Sequence, residues 1–212
     1  MKKRGVSPMD IFILAAGEQQ RWSEYPIKQL LPIKGEPLIL RTIRLLGRNR
    51  PIVVTNRPEI TGQVRHWLAP KRRRWTTETL LSTSEKWYSK QIVILLGDVL
   101  YSPRSLDLIL SKQGRFTVFG SSHEIFALSF YDKPRVIEAA KETIKQAARG
   151  EHFGKLRNLY HTYYDIKDKN EYDTNHPHFE KIHSSITDYV TDFDTPEQYE
   201  AFIRDRIGEV EQ

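Results

Sequence analysis

Asp10-Ile11-Phe12-Ile13-Leu14-Ala15-Ala16-Gly17 is the stretch on which the fold turns. Its core is continuously apolar, and it stops at small residues. A strand with one wet face alternates apolar and polar side chains. This run does not, so it reads as a strand buried on both faces, the habit of a parallel sheet covered by helices. Gln91-Ile92-Val93-Ile94-Leu95-Leu96 has the same character and stops at Gly97-Asp98. Between them the periodicity changes. Leu38 to Leu46 keeps apolar residues at 39, 40, 43 and 46 on one helical face, after Gly35-Glu36-Pro37. Pro51 to Thr55 reads as a second strand, Pro58 to Leu68 as a helix, Thr76 to Tyr88 as another, and Pro103 to Ser111 as one more.

The order β-α-β-α-α-β-α predicts a three-layer α/β/α, Rossmann-like fold. Right-handed crossovers bring the strand C-termini to one edge, where open sheets collect ligands. Gly17 and Asp98, each just past a strand end, should face that edge. Phe116–Phe119 and Ile125–Phe130 flank Gly120-Ser121-Ser122, a turn that favours a hairpin. The sheet should therefore be mixed but mostly parallel. Pro134 to Arg149 reads as a helix, and Pro196 opens a last one. Residues 151–183 have weak periodicity, although Leu156, Leu159 and Tyr163 share helical spacing. No repeat or linker interrupts residues 1–212, which read as a single domain.

Composition narrows the classes. Of 212 residues 39% are hydrophobic, enough for a sizeable core, and no apolar run is long enough to span a membrane. The basic start Met1-Lys2-Lys3-Arg4 precedes an apolar run too short for a signal peptide. With no cysteine there is no disulfide framework, which is compatible with a cytoplasmic location. A net charge of +6 suits anionic ligands. Lys71-Arg72-Arg73-Arg74 reads either as a cluster that attracts phosphate or contacts nucleic acid, or as a solvated loop, the reading favoured because no nucleic-acid-binding motif accompanies it. His176-Pro177-His178 and His183, without cysteine, make a poor zinc site.

Leu14-Ala15-Ala16-Gly17-Glu18-Gln19-Gln20-Arg21 resembles the first loop of the NTP-transferase superfamily, which includes sugar-phosphate nucleotidylyltransferases, cytidylyltransferases and molybdenum-cofactor guanylyltransferases. Lys28-Gln29-Leu30 and Gly35-Glu36-Pro37 supply the next two parts of that pattern in order. Leu96-Gly97-Asp98-Val99 resembles its strand-end acidic motif, and Asp192-Phe193-Asp194-Thr195-Pro196-Glu197 its closing acidic segment. Gln19 departs from the pattern, standing where many relatives have a second glycine. The resemblance implies a GT-A-like nucleotide-diphospho-sugar transferase fold. It also implies a Mg²⁺-dependent enzyme that moves a nucleoside monophosphate from an NTP (CTP, UTP or GTP) to a small phosphorylated acceptor.

The resemblance also assigns roles. Leu14, Ala15, Ala16, Gly17 and Glu18 would line the nucleotide. Small residues there let backbone N–H groups close on phosphate oxygens. Arg21 would grip the β- and γ-phosphates through its planar fork, and Lys28 would place charge near the α-phosphate. Asp98 and Asp192 would hold the metal, with Asp194 either capping the last helix or supporting the site. Thr79, within Thr76 to Ser82, would face the base or ribose, unless that stretch is simply a polar helix start. Glu124 could bind an acceptor hydroxyl, and Lys155 or Lys181 could clamp the acceptor phosphate. Two rivals share the fold: a GT-A glycosyltransferase, which normally lacks this loop with its Arg and Lys, and a non-catalytic nucleotide- or nucleic-acid-binding module.

Overall fold

The computed structural model describes residues 8–17, 27–120, 124–166, 183–185, 191–206 and 208. Among these, the main sheet has seven strands: β1 (Met9–Leu14), β4 (Ile52–Val54), β5 (Trp67–Leu68), β6 (Gln91–Leu96), β8 (Phe116–Gly120), β9 (Ile125–Phe130) and β10 (His183–Ser185). Their spatial order is β10-β8-β9-β6-β1-β4-β5. β9 runs antiparallel to both neighbours, β8 and β6, and the remaining pairings are parallel. The mixed, mostly parallel sheet and the 116–130 hairpin are therefore as the sequence predicts.

Side-chain alternation divides the core into two layers. Phe12, Leu14, Ile92 and Ile94 point to one face, under α3 (Thr76–Leu81), α5 (Lys133–Ala148) and α6 (Leu156–Tyr164). Ile11, Ile13, Val93 and Leu95 point to the other, under α1 (Leu38–Leu45), α2 (Pro58–Thr61) and α4 (Pro103–Ser111). Both faces of the central strands are thus dry, which is why they read as unbroken apolar runs. Leu156, Leu159 and Tyr163 are buried in the first layer, as their helical spacing suggests.

Three features depart from the sequence reading. Pro58 to Leu68 is not one helix. It turns once over Pro58–Thr61 and then pairs Trp67 and Leu68 in parallel with Val53 and Val54. The helix at Thr76 stops at Leu81, followed by a 3-10 turn at Ser84–Lys86. Two small ribbons also form, β2 (Pro32–Ile33) with β3 (Glu36–Pro37), and β7 (Val99–Leu100) with β11 (Thr191–Asp192). Pro37 accordingly lies in β3 and just precedes α1 instead of opening its first turn. A third core joins these ribbons to the last helix, α7 (Pro196–Asp205). Leu31, Ile33 and Leu38 pack with Leu100, Phe193 and Phe202, and the Tyr199 hydroxyl donates to Pro32 O at 2.8 Å. This satellite core carries the 191–194 segment to the edge of the sheet where β1 and β6 end.

Candidate active site

The site is built on the adjacent ends of β1 and β6. Leu14 and Leu96 are paired in register, and Gly97 N–H donates to Leu14 O at 2.8 Å. The approach is so close that a Cβ on Gly97 would lie 2.9 Å from Leu14 O and 3.0 Å from Ala15 Cβ. Only glycine allows this contact, and it brings Asp98 beside the first loop. The loop is tied from its other side. Ala15 N–H donates to Val54 O at 2.9 Å, the Thr55 hydroxyl donates to Ala15 O at 3.0 Å, and an Arg57 guanidinium N–H donates to Gly17 O at 2.8 Å. At Gly17 itself a Cβ would meet nothing within 4 Å. Among the described residues, then, packing does not require glycine there, and Gly17 lines the larger hollow described below.

Asp98 follows the strand end that Tyr101 pins. The buried Tyr101 hydroxyl accepts from Leu96 N–H at 3.0 Å and donates to Phe126 O at 2.7 Å. Lys28 comes from the 3-10 turn Lys28–Leu30, is 7% exposed, and sets its Nζ 4.0 Å from Asp98 Oδ2. Across the β7–β11 ribbon, Asp192 is the register partner of Val99, the residue next to Asp98. Phe193 is buried in the satellite core, so Asp192 and Asp194, one residue to either side, share the opposite face. Thr195, not Asp194, caps α7: its side chain accepts from Gln198 N–H. Asp194 joins Glu124 and Asp192, with a carboxylate oxygen of each within 4.8 Å of the other two.

This crowding shows in the acid strengths. Burial raises the Asp98 pKa, and the negative charges of Asp192 and Asp194 raise it further, while Lys28 opposes both. Burial and Asp194 likewise raise Asp192. Glu124 is exposed as a residue, but its carboxyl group turns against Asp192. Burial of that end and the two neighbouring aspartates push it up to about 7. Converging, partly buried carboxylates of this kind could hold a hard cation with oxygen ligands.

Two hollows meet here, sharing Thr76 and Leu96 in their walls. The larger, about 810 Å³, is lined by Leu14, Ala16, Gly17, Asp98 and, from the far side, Thr76 and Thr79. The smaller, about 250 Å³, holds Glu124, Asp192, Lys155 and Arg157. The structure thus brings together Leu14, Ala15, Ala16, Gly17, Lys28, Thr79, Asp98, Asp192, Glu124 and Lys155. Glu18, Arg21, Gln19 and Lys181 lie outside the described residues. The sequence reading missed the acidic grouping of Glu124 with Asp192 and Asp194. Arg73 and Arg74, from the basic run favoured as a solvated loop, line the larger hollow. Their basic run follows the edge strand β5, where Lys71 pairs with Glu85 and Arg73 donates to Asn56 Oδ1.

A seven-stranded mixed sheet covered by helices on both faces, with a lysine and strand-end acids gathered at one edge, defines a Rossmann-like α/β class. Residues 11–159, well over half of the chain, match the MobA-like NTP transferase domain, and the chain belongs to that family of nucleotidyltransferases. No curated protein matches its sequence. Solved structures share the fold at low identity. One assigned as a glucose-1-phosphate thymidylyltransferase from Bacillus anthracis is 18% identical, with TM-score 0.63 over 93% of this chain and 96% of that one. The inositol-1-phosphate CTP transferase from T. maritima is 10% identical, with TM-score 0.60 over 97% of each. The CTP:phosphocholine cytidylyltransferase from Streptococcus pneumoniae is 16% identical, with TM-score 0.58 over 92% of this chain and 97% of that one.

Proposed function

We propose that this protein transfers a nucleoside monophosphate from CTP, UTP or GTP to a small phosphorylated acceptor, a sugar 1-phosphate or an alcohol phosphate, and releases pyrophosphate. The observation that carries this reading is the meeting of a large hollow over the glycine loop with a small one walled by Lys155 and Arg157, with acids and Lys28 at their junction. The larger takes the NTP. The smaller suits an acceptor of sugar or choline size, consistent with the phosphorylated alcohols and sugars named for the fold neighbours.

In this reading the acceptor phosphate oxygen attacks the α-phosphorus in line, and the bond to the β-phosphate oxygen breaks as pyrophosphate leaves. The acceptor phosphate is ionised near neutral pH, so no general base is required. Positioning and charge neutralisation dominate. The loop at Ala15–Gly17 holds the triphosphate, and Arg21, by its place in the motif, grips its outer phosphates. Lys28 sets its ammonium group where negative charge grows in the transition state. Lys155 and Arg157 orient the acceptor phosphate, and Glu124 accepts from an acceptor hydroxyl. Asp98 and Asp192 would hold Mg²⁺, which when bound offsets phosphate charge. Their oxygen-only donor set fits that ion, as does the charge of Asp192 that helps raise Asp98.

The test is pyrophosphate release with each of the four NTPs against a panel of phosphorylated acceptors, with and without Mg²⁺. Turnover confined to one NTP and one acceptor class, and lost without Mg²⁺, is the expected outcome. An active protein that transfers a glycosyl group from a nucleotide sugar, and releases no pyrophosphate, would overturn it.

A further inference from the structure

Phe153 is 79% exposed, the most exposed large hydrophobic side chain among the described residues, and it lies on the wall of the larger hollow. The next residue, Gly154, is held through both its N–H and its carbonyl. On one side His152 Nδ1 accepts from Gly154 N–H at 3.1 Å, so the ring proton sits on Nε2 and donates to Gln146 Oε1 of α5 at 3.2 Å. On the other, Gly154 O accepts from both the backbone N–H of Thr77 (3.1 Å) and its hydroxyl (2.8 Å). Gly154 has φ +58°, and a Cβ there would lie 2.7 Å from Trp75. The segment is therefore docked against the start of α3 by a glycine that no other residue replaces without strain. The Phe153 ring thus stands on the wall of the larger hollow, open to a flat partner and next to a fixed glycine.

We propose that Phe153 is the stacking platform for the nucleobase of the NTP. This rests on the nucleotidyltransferase reading above. The neighbouring aromatic, Trp75, is less available: Gly154 covers part of it, and the Arg74 guanidinium lies 4.7 Å from its ring centroid. Phe153 walls the larger hollow and not the smaller, so its partner is the nucleotide and not the acceptor. Within that hollow the phosphates belong to the end with Gly17 and Asp98. The base is the part of an NTP that presents an uncharged π-face. Stacking tolerates every base, so Phe153 supplies affinity, while discrimination among bases falls to polar neighbours such as Thr76 and Thr79.

The experiment is calorimetric binding of the four Mg-NTPs and of Mg-tripolyphosphate to wild type, Phe153→Ala and Phe153→Trp. Phe153→Ala should weaken the best-bound NTP roughly 5- to 100-fold, the range of one base–aromatic stack. Phe153→Trp should restore it, and tripolyphosphate, which has no base, should bind all three proteins equally. An unchanged NTP affinity in Phe153→Ala overturns the platform and leaves the transferase reading standing. So does an equal loss for tripolyphosphate, which would mark a general loosening of the site. Wild type that binds no NTP overturns the transferase reading and the platform with it.

Discussion

Gly17 and Gly97 sit at the same sheet edge, yet their replacement by alanine should fail in opposite ways. An added Cβ at Gly97 would meet Leu14 O at 2.9 Å, Ala15 Cβ at 3.0 Å and Ile13 Cγ2 at 3.3 Å. These are backbone atoms or short, buried side chains in a strand fixed on both faces, so they cannot swing aside. Overpacking of this kind costs about 1–3 kcal/mol. At roughly 2–4 °C per kcal/mol for a chain of this size, Gly97→Ala should lower Tm by about 2–12 °C. At Gly17 a Cβ meets nothing within 4 Å among the described residues, and the residue does not have positive φ. Gly17→Ala should leave Tm unchanged, or raise it slightly through a stiffer unfolded chain. If the loop closes on phosphate as proposed, the methyl group would occupy that space, and kcat/KM for the NTP should fall by about 100-fold. Thermal unfolding and steady-state kinetics on the two variants decide the matter. A Gly97→Ala protein with wild-type Tm, or a Gly17→Ala protein with wild-type NTP kinetics, would refute the reasoning.

Other outcomes follow from the same geometry. Thr55→Val keeps the shape but removes the hydroxyl that donates to Ala15 O, so denaturant titration should show a loss of about 1–3 kcal/mol. Lys28→Met should cut kcat by about 10²- to 10³-fold while the acceptor KM changes little, a split that steady-state kinetics resolves. Lys155→Ala should do the reverse, raising the acceptor KM with the NTP KM unaltered. In metal-free protein the Glu124 carboxyl has a folded pKa of about 7, above its ordinary value of 4.5. The folded state holds the extra proton, so its stabilising share is full below pH 4.5 and is lost as pH rises through 7. Thermal unfolding from pH 4.5 to 7.5 should therefore show a decline in wild type that Glu124→Gln flattens.

The sequence exposes this architecture unevenly, for physical reasons. β1 and β6 are legible because burial on both faces removes every polar residue from their centres. Asp98 and Lys28 are legible because each follows a short pattern in direct sequence. β5 is not. Ile60, Val64 and Leu68 have helical spacing, but Gly62 follows the single turn at Pro58–Thr61, and backbone pairing to β4 then captures Trp67 and Leu68. The β7–β11 ribbon joins Val99 to Asp192 through two-residue strands, which carry no periodicity of their own. The partnership of Glu124 with Asp192 and Asp194 depends on that ribbon and on Phe193 being buried, so local sequence cannot reveal it. Asp194 looks like a helix cap by composition, but Thr195 takes that place one residue later.

The most direct test is the rate of pyrophosphate release by Asp192→Asn as Mg²⁺ is titrated at saturating NTP and acceptor. This change is nearly isosteric and spares the satellite core that places the residue. If Asp98 and Asp192 jointly hold the ion, half-saturating Mg²⁺ should rise at least tenfold and the maximal rate should collapse. A titration curve that superimposes on wild type would show that the carboxylate carried across the β7–β11 ribbon has no part in the reaction.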